Sequence, residues 1–435
     1  MSHGSGSIIQ ALNPADYFTL AMDEEIRKEG MPGSLCGFAL ELDGQPDIQR
    51  LAERIEHFHL NFPTSRACLT KIGRRFYWSK RSRQNRTFHL EKTDEFHTKI
   101  EQVMNRKEAR ESVNPLEFHL FQGATRSVLL LRWIHPFCDA VGADLIIQYL
   151  AAEKPPPENG LSNPPVSLLN RQLDRFSLWQ KFKFMLKTKT LIEKIDRLQS
   201  IQPIGELSRP RRLKFRVFHL SESHSRKIAR ASLQQAGLIG SSLYTIGCLM
   251  RAIDQMESRS AGEAFCVPYA FNLRRQKDLS PVVGNHISAL FAQAPLDVVR
   301  SRERLFRHLT EQYRNSVRQQ LDHAFLPLMW AAQWLSLERY GKALRQSYRG
   351  GQERSSFWIS DIGRSDLAGQ NIFGARICGL MHLAQVSTPP ALALLTCVFD
   401  KRLVLTYNFV EPLIDIDWID RLHQKFVAEL LGESQ

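Results

Sequence analysis

The chain has no cysteine pairing that could organise it. Its seven cysteines (Cys36, Cys68, Cys138, Cys248, Cys266, Cys378 and Cys397) stand singly, with no Cys-x-x-Cys among them. An odd, scattered set excludes a disulfide framework and offers no zinc-ligand spacing. The expectation is a reducing, cytoplasmic setting, no bound metal and no permanently held cofactor. Also missing is any run of about 18 apolar, uncharged residues, the length a spanning helix needs. Met1–Ser7 is polar and small and lacks the apolar stretch of a secretory signal, so it reads as a disordered leader. Acidic residues are the minority charge, 45 against 58 Lys and Arg, for a net +13. Such an excess concerns partners rather than fold: nucleic acid, an acidic protein or phosphorylated cofactor, or an anionic membrane surface.

At 435 residues the chain is long enough for two or three domains of roughly 100–200 residues each. Its densest basic stretch, Lys71 to Arg86, interleaves Arg with Phe76, Tyr77 and Trp78. That pattern is suited to stacking single-stranded bases. No RNA-binding signature accompanies it, so a strand followed by a solvated basic turn is favoured over a nucleic-acid site.

Strand and helix patterns alternate along the chain. Cys36–Leu42 reads as a strand, Pro46–Phe58 as an amphipathic helix, Phe76–Trp78 as a strand, and Asp94–Arg106 as a helix. Pro115–Phe121 and Ser127–Trp133 form a hairpin around a four- to five-residue loop. Lys154–Pro165 is a Pro-rich linker, and after it Arg175–Leu198 has apolar residues at helical spacing with lysines between them. Such a helix suits a peripheral membrane surface or a packing role across lobes. A second series runs from the strand Leu213–Leu220 to a last helix, Ile416–Leu431. The division expected is a lobe over 1–152, linker and basic helix over 153–204, and a second lobe over 205–435, with a ligand cleft between lobes.

Between the run Ser127–Leu131 and the helical pattern Ala143–Leu150 lies Arg132-Trp-Ile-His-Pro-Phe-Cys-Asp-Ala-Val-Gly142. A histidine at a strand-to-helix turn can present its ring to a cleft, and an aspartate four residues on can brace the turn. Of 14 histidines, His135 alone has an aspartate at that distance. The pair could still be coincidence, with His135 buried and satisfied beside its strand. Cys138 is too close along the chain to His135 to act as its nucleophile.

Three more segments follow in order: Val267-Pro-Tyr-Ala-Phe-Asn-Leu-Arg274, Gly284-Asn285, and Trp358-Ile-Ser-Asp-Ile-Gly363. With the His135 motif, they resemble the chloramphenicol-acetyltransferase-like superfamily of HxxxD acyltransferases, which includes condensation domains and wax-ester-synthase-type enzymes. The resemblance spans nearly the whole chain. It implies an α/β fold of two pseudo-duplicated lobes with a tunnel between them.

The resemblance makes His135 the catalytic base and Asp139 a structural aspartate paired with Arg274. Gly142 is a turn residue, and Asn285, Ser360, Asp361 and Gly363 are substrate-channel candidates. It departs from the family pattern at Ile134, where a first histidine is common, at Ala140 in place of glycine, and at Asp361 in place of asparagine. The implied activity is acyl transfer from a CoA or carrier-protein phosphopantetheine thioester to a hydroxyl or amine of a small-molecule acceptor, without an acyl-enzyme. The alternative is a non-catalytic docking protein for an acidic carrier protein. Arg74, Arg75, Lys80, Arg81 and Arg209-Pro-Arg-Arg212 are candidates for a basic rim facing either donor.

Overall fold

The structure is a computed structural model and describes residues 7–81, 85–153, 168–204, 210–237, 241–256, 262–274, 282–346 and 354–433. The linker at Lys154–Pro165, the turn at Leu279–Pro281 and Arg209 lie outside them.

The hairpin strands Leu116–Gln122 and Arg126–Ile134 are buried almost throughout, the polar Glu117, His119 and Arg132 included. Strands of that kind belong in the middle of a covered sheet. Arg126–Ile134 pairs on its other side with Leu35–Asp43, antiparallel, from Leu35 opposite Ile134 to Asp43 opposite Arg126. Phe88–Lys92 pairs parallel with Leu116–Gln122 at one edge. The other side is completed from late in the chain: Ala375–Ala384 pairs antiparallel with Leu35–Asp43, and Asn371–Ile372 follows it. The segment 205–435 therefore contributes strands to the sheet built mainly from 1–152.

A second six-stranded mixed sheet has the order Ile287–Pro295, Ala264–Asn272, Trp358–Ser365, Leu392–Phe399, Arg402–Glu411, Arg212–His219. Trp358–Ser365 pairs parallel with the strands on either side, and the remaining pairs are antiparallel. The architecture is thus α/β with two six-stranded mixed sheets. One apolar core joins Phe38 and Leu129 of the first sheet to Leu394 and Phe409 of the second. A small third sheet pairs Ile8–Ala11 and Cys68–Ile72 with Arg75–Ser79.

Several elements differ from the sequence expectation. The helix Pro14–Lys28 and the strands Ile8–Ala11, Cys68–Ile72 and Phe88–Lys92 are additional. The helix after the His135 motif starts at Ala140 rather than Ala143, because Asp139 caps it. The hairpin loop is shorter than expected, because the strands extend to Gln122 and Arg126. The helical pattern through Leu326–Tyr340 divides into Leu321–Ala332 and Leu337–Gln346. The basic segment forms the helix Leu178–Ile195, opened by a Ser177–Gln180 capping box and packed on Leu321–Ala332. No single helix among the described residues is long and apolar enough to cross a membrane.

Candidate active site

The strand Arg126–Ile134 ends at the His135 turn. His135 N donates to Ser34 O at 2.8 Å, and Trp133 Nε1 reaches forward to Cys138 O at 2.8 Å, clamping the turn from within. Asp139 is the N-cap of the helix Ala140–Ala151, and its Oδ1 accepts from Gly142 N at 2.9 Å. Ala140 is the first helical residue, where helical backbone suits alanine better than glycine. A Cβ on Gly142 would meet Cys138 Cβ at 2.9 Å and the Gly284 backbone at 3.3 Å, so only glycine lets the two segments approach this closely.

Asp139 also reaches across the chain. Arg274 grips it with two bonds, Nη1 to Oδ2 at 2.8 Å and Nη2 to Oδ1 at 2.9 Å, and His286 N donates to Oδ2 at 2.9 Å. Arg274 further donates to the carbonyls of Gly284, at 2.7 Å, and Val282, at 3.2 Å. Burial alone would raise the Asp139 pKa. The Arg274 charge and the converging donors outweigh it and hold the carboxyl below its ordinary value. Asp139 is therefore a brace with no proton to give.

Asn285 ties His135 to the first helix. Its Nδ2 donates to His135 O at 2.6 Å and to Asp16 Oδ1 at 3.1 Å, while Asn13 Nδ2 donates to Asn285 O at 3.3 Å. Asn13 and Asp16 form the capping box of Pro14–Lys28. Asp16 is buried, and burial pushes its pKa up to about 8, with the Asp139 charge adding to the rise. Sequence reasoning missed this residue, although Asn13-Pro14-Ala15-Asp16 carries an N-cap, a proline at the first helical position and an N3 acid.

His135 itself is half-buried. Its Nδ1 is buried and has no hydrogen-bond partner in another residue; Asn285 Oδ1 and His286 Nδ1 are likewise buried and unpartnered. Burial lowers the ring's pKa, against the opposing pull of its own carbonyl, Asp139 and Asn285. The imidazole is accordingly neutral at neutral pH. Burial pushes the Cys138 thiol well up, which removes it as a nucleophile. Asn13, Asp16, Phe137, Val283, Gly284 and His286 help line a cavity of about 30 Å³, room for water-sized groups.

The candidate channel residues of the last segment form a separate group. Asp361 Oδ2 accepts from Ser241 and Ser242 Oγ, each at 3.1 Å, at the start of the helix Ser241–Asp254, and its Oδ1 accepts from Thr396 Oγ1 at 3.3 Å. Gly363 has φ +85° at a bulge between Asp361 and Gly363, and Ser360 faces Leu395 in the parallel pair. At this position an aspartate collects three hydroxyls and the Gly363 N–H, the last at 3.2 Å.

His89, Glu117 and His119 are close enough to hold a metal ion, but their chemistry fits one poorly. The two imidazoles stack face to face at 4.6 Å and 12°, so their in-plane lone pairs do not converge. Glu117 is already bonded by Arg132, Arg106 and Asn114. Among the basic-rim candidates, the Arg74 and Lys80 side chains are exposed and, like that of Lys71 nearby, make no ion pair among the described residues. Arg75 lies over the Trp334 ring at 3.7 Å, and Arg81 is spent on the carbonyls of Ala67, Ser112 and Val113.

No family model matches the sequence, and no curated protein matches it. Solved structures do match over the full length. The trichothecene 15-O-acetyltransferase TRI3 from Fusarium sporotrichioides superposes with a TM-score of 0.71 at 11% identity, covering 98% of this chain and 95% of that one. The first condensation domain of the calcium-dependent antibiotic synthetase, with a substrate analogue, gives 0.73 at 12% identity, covering 98% and 96%. A variant of the starter condensation domain of rhizomide synthetase, with C8-CoA and Leu-SNAC, gives 0.67 at 11%, covering 97% and 94%. The chain therefore has the two-sheet fold shared by this acetyltransferase and these condensation domains.

Proposed function

We propose that the protein is an acyltransferase that moves an acyl group from a CoA or carrier-protein thioester to a hydroxyl or amine, with His135 as general base. The observation carrying this reading is the half-buried, neutral His135 on a turn locked by the Asp139–Arg274 pair, in a fold shared with an acetyltransferase and condensation domains. In the step proposed, the imidazole takes the acceptor's proton as its oxygen or nitrogen attacks the thioester carbonyl. The tetrahedral intermediate then collapses, the C–S bond breaks, and the thiol leaves with that proton. No covalent acyl-enzyme is needed, and the buried Cys138 offers no route to one. Exposed Lys71, Arg74 and Lys80 suit a donor carrying phosphates or an acidic carrier protein.

A screen of acyl-CoA and acyl-carrier donors against pooled alcohols and amines, read by mass spectrometry, tests the reaction class. A product formed by the wild type and lost in a folded His135→Ala protein supports it. A donor-dependent product formed at the same rate by both proteins removes His135 from catalysis. Carrier-protein binding without any product would favour the non-catalytic docking reading.

A further inference from the structure

The helix Leu178–Ile195 has two apolar sides, and the fold uses one. Its inner side carries Lys181, Phe184, Thr188 and Ile195, all buried. Thr188 Oγ1 donates to Ala324 O at 2.9 Å, and the Lys181 ammonium sits over the Trp330 ring at 4.8 Å. On the outer side Leu178 is 75% exposed, Trp179 72%, Phe182 46% and Leu186 49%. Their spacing places all four on one stripe of the helix, and the Trp179 and Phe182 rings stack at 5.8 Å. A contiguous patch of large apolar side chains on an otherwise basic helix marks a contact surface.

The charges around the patch say what it contacts. Lys183, Lys189 and Lys194 are exposed beside it, and Lys187 reaches back to Gln319 O at 3.2 Å. Glu193 is the acid on the exposed side and pairs with Lys189 at 3.6 Å. The surface is the convex flank of one helix, so it offers no groove for a peptide. A second copy docked face to face would set lysines against lysines.

We propose that this flank lies in the plane of an anionic lipid surface. Leu178, Trp179, Phe182 and Leu186 enter the headgroup boundary, and the lysines meet lipid phosphates and carboxylates. Trp179, an aromatic with a polar N–H, suits that boundary. The contact is peripheral, since the opposite side of the helix is occupied by Leu321–Ala332. It is independent of whether His135 is catalytic.

Co-sedimentation of the full chain with vesicles of phosphatidylcholine alone, and of phosphatidylcholine with phosphatidylserine, tests this. Binding to the phosphatidylserine vesicles that weakens with added salt is the expected result. Trp179→Ser/Phe182→Ser should bind them about tenfold more weakly or worse. Its melting should be unchanged, because both side chains are exposed. Should that variant not fold, Lys183→Gln/Lys189→Gln/Lys194→Gln replaces it and should lose the phosphatidylserine preference. Indifference of the wild type to phosphatidylserine, or undiminished binding by a folded variant, overturns the proposal. So does capture of an acidic carrier protein through this flank without vesicle binding.

Discussion

Two buried clusters in this protein have the same ingredients, a histidine, a carboxylate and an arginine, yet they are built for different ends. In the first sheet, Glu117 is bonded by Arg132 Nη1 at 3.0 Å, His119 Nε2 at 3.2 Å, Asn114 Nδ2 at 2.9 Å and Arg106. Burial would raise its pKa, but those donors take it well below the ordinary value. His119 is consumed by the network. At the other cluster, Asp139 is satisfied by Arg274, Gly142 and His286, none of them the motif histidine. His135 keeps an unpartnered Nδ1 and a half-buried ring. A cluster becomes a candidate site when its arginine and carboxylate satisfy each other and leave the imidazole unspent.

The largest effect that can break this comparison is on rate. His135→Ala should lower turnover by about 10²–10⁴ with little change in melting, since the ring's Nδ1 is unpartnered. His119→Ala should do the converse, losing about 1–3 kcal/mol of stability while a folded fraction keeps full activity per molecule. Equal rate losses in the two variants would dissolve the distinction.

Next in size are the braces. Asp139→Ala leaves the largely buried Arg274 without its counter-charge, and Glu117→Ala leaves the almost fully buried Arg132 with Glu108 as its acid. Asp139→Ala should cost about 3–5 kcal/mol in chemical denaturation, and Glu117→Ala less, because Arg132 keeps Glu108. Asp139→Ala should leave acceptor preference among folded molecules unchanged. A melting profile unaltered by either substitution would count against the brace assignment.

The brace was partly legible in the sequence and its setting was not. His135 and Asp139 stand out by spacing alone, but Arg274 lies in the other half of the chain and was reached only through the family resemblance. The two residues do meet, at 2.8 Å. Ala375–Ala384 reads as an apolar strand like several others, and nothing local says that it pairs with Leu35–Asp43. Strand partnership is a tertiary property. Phe88–Lys92 escaped notice because an edge strand holding His89, Glu91 and Lys92 lacks a clean alternation. The basic helix was ambiguous between packing and surface contact because both sides carry apolar residues.

A smaller effect concerns pH. Burial sets the His135 pKa below its ordinary 6.5, so the neutral base persists into mildly acidic solution. The acid limb of the rate profile should have its midpoint below 6.5, and a midpoint at or above that value would contradict the burial argument. Stability runs in the same sense for this residue. A depressed folded pKa contributes stability above the unfolded value that is lost as pH falls toward the folded one.

Asp16 sets the opposite slope, spread over several pH units so that it is small at any one step of pH. Its folded pKa of about 8 exceeds the ordinary 3.8, so the folded chain keeps a proton that the unfolded chain releases. Stability from this group is complete below the lower value and is lost as pH rises toward the upper one, at up to about 1.4 kcal/mol per pH unit. Asp16→Asn keeps an acceptor for the Asn13 backbone and removes the ionisation. Denaturant midpoints of the two proteins should therefore diverge with rising pH, the variant becoming the more stable relative to wild type. Parallel curves would mean that Asp16 is ionised in the fold, and that the Asn285 bridge to His135 carries a charge beside Asp139.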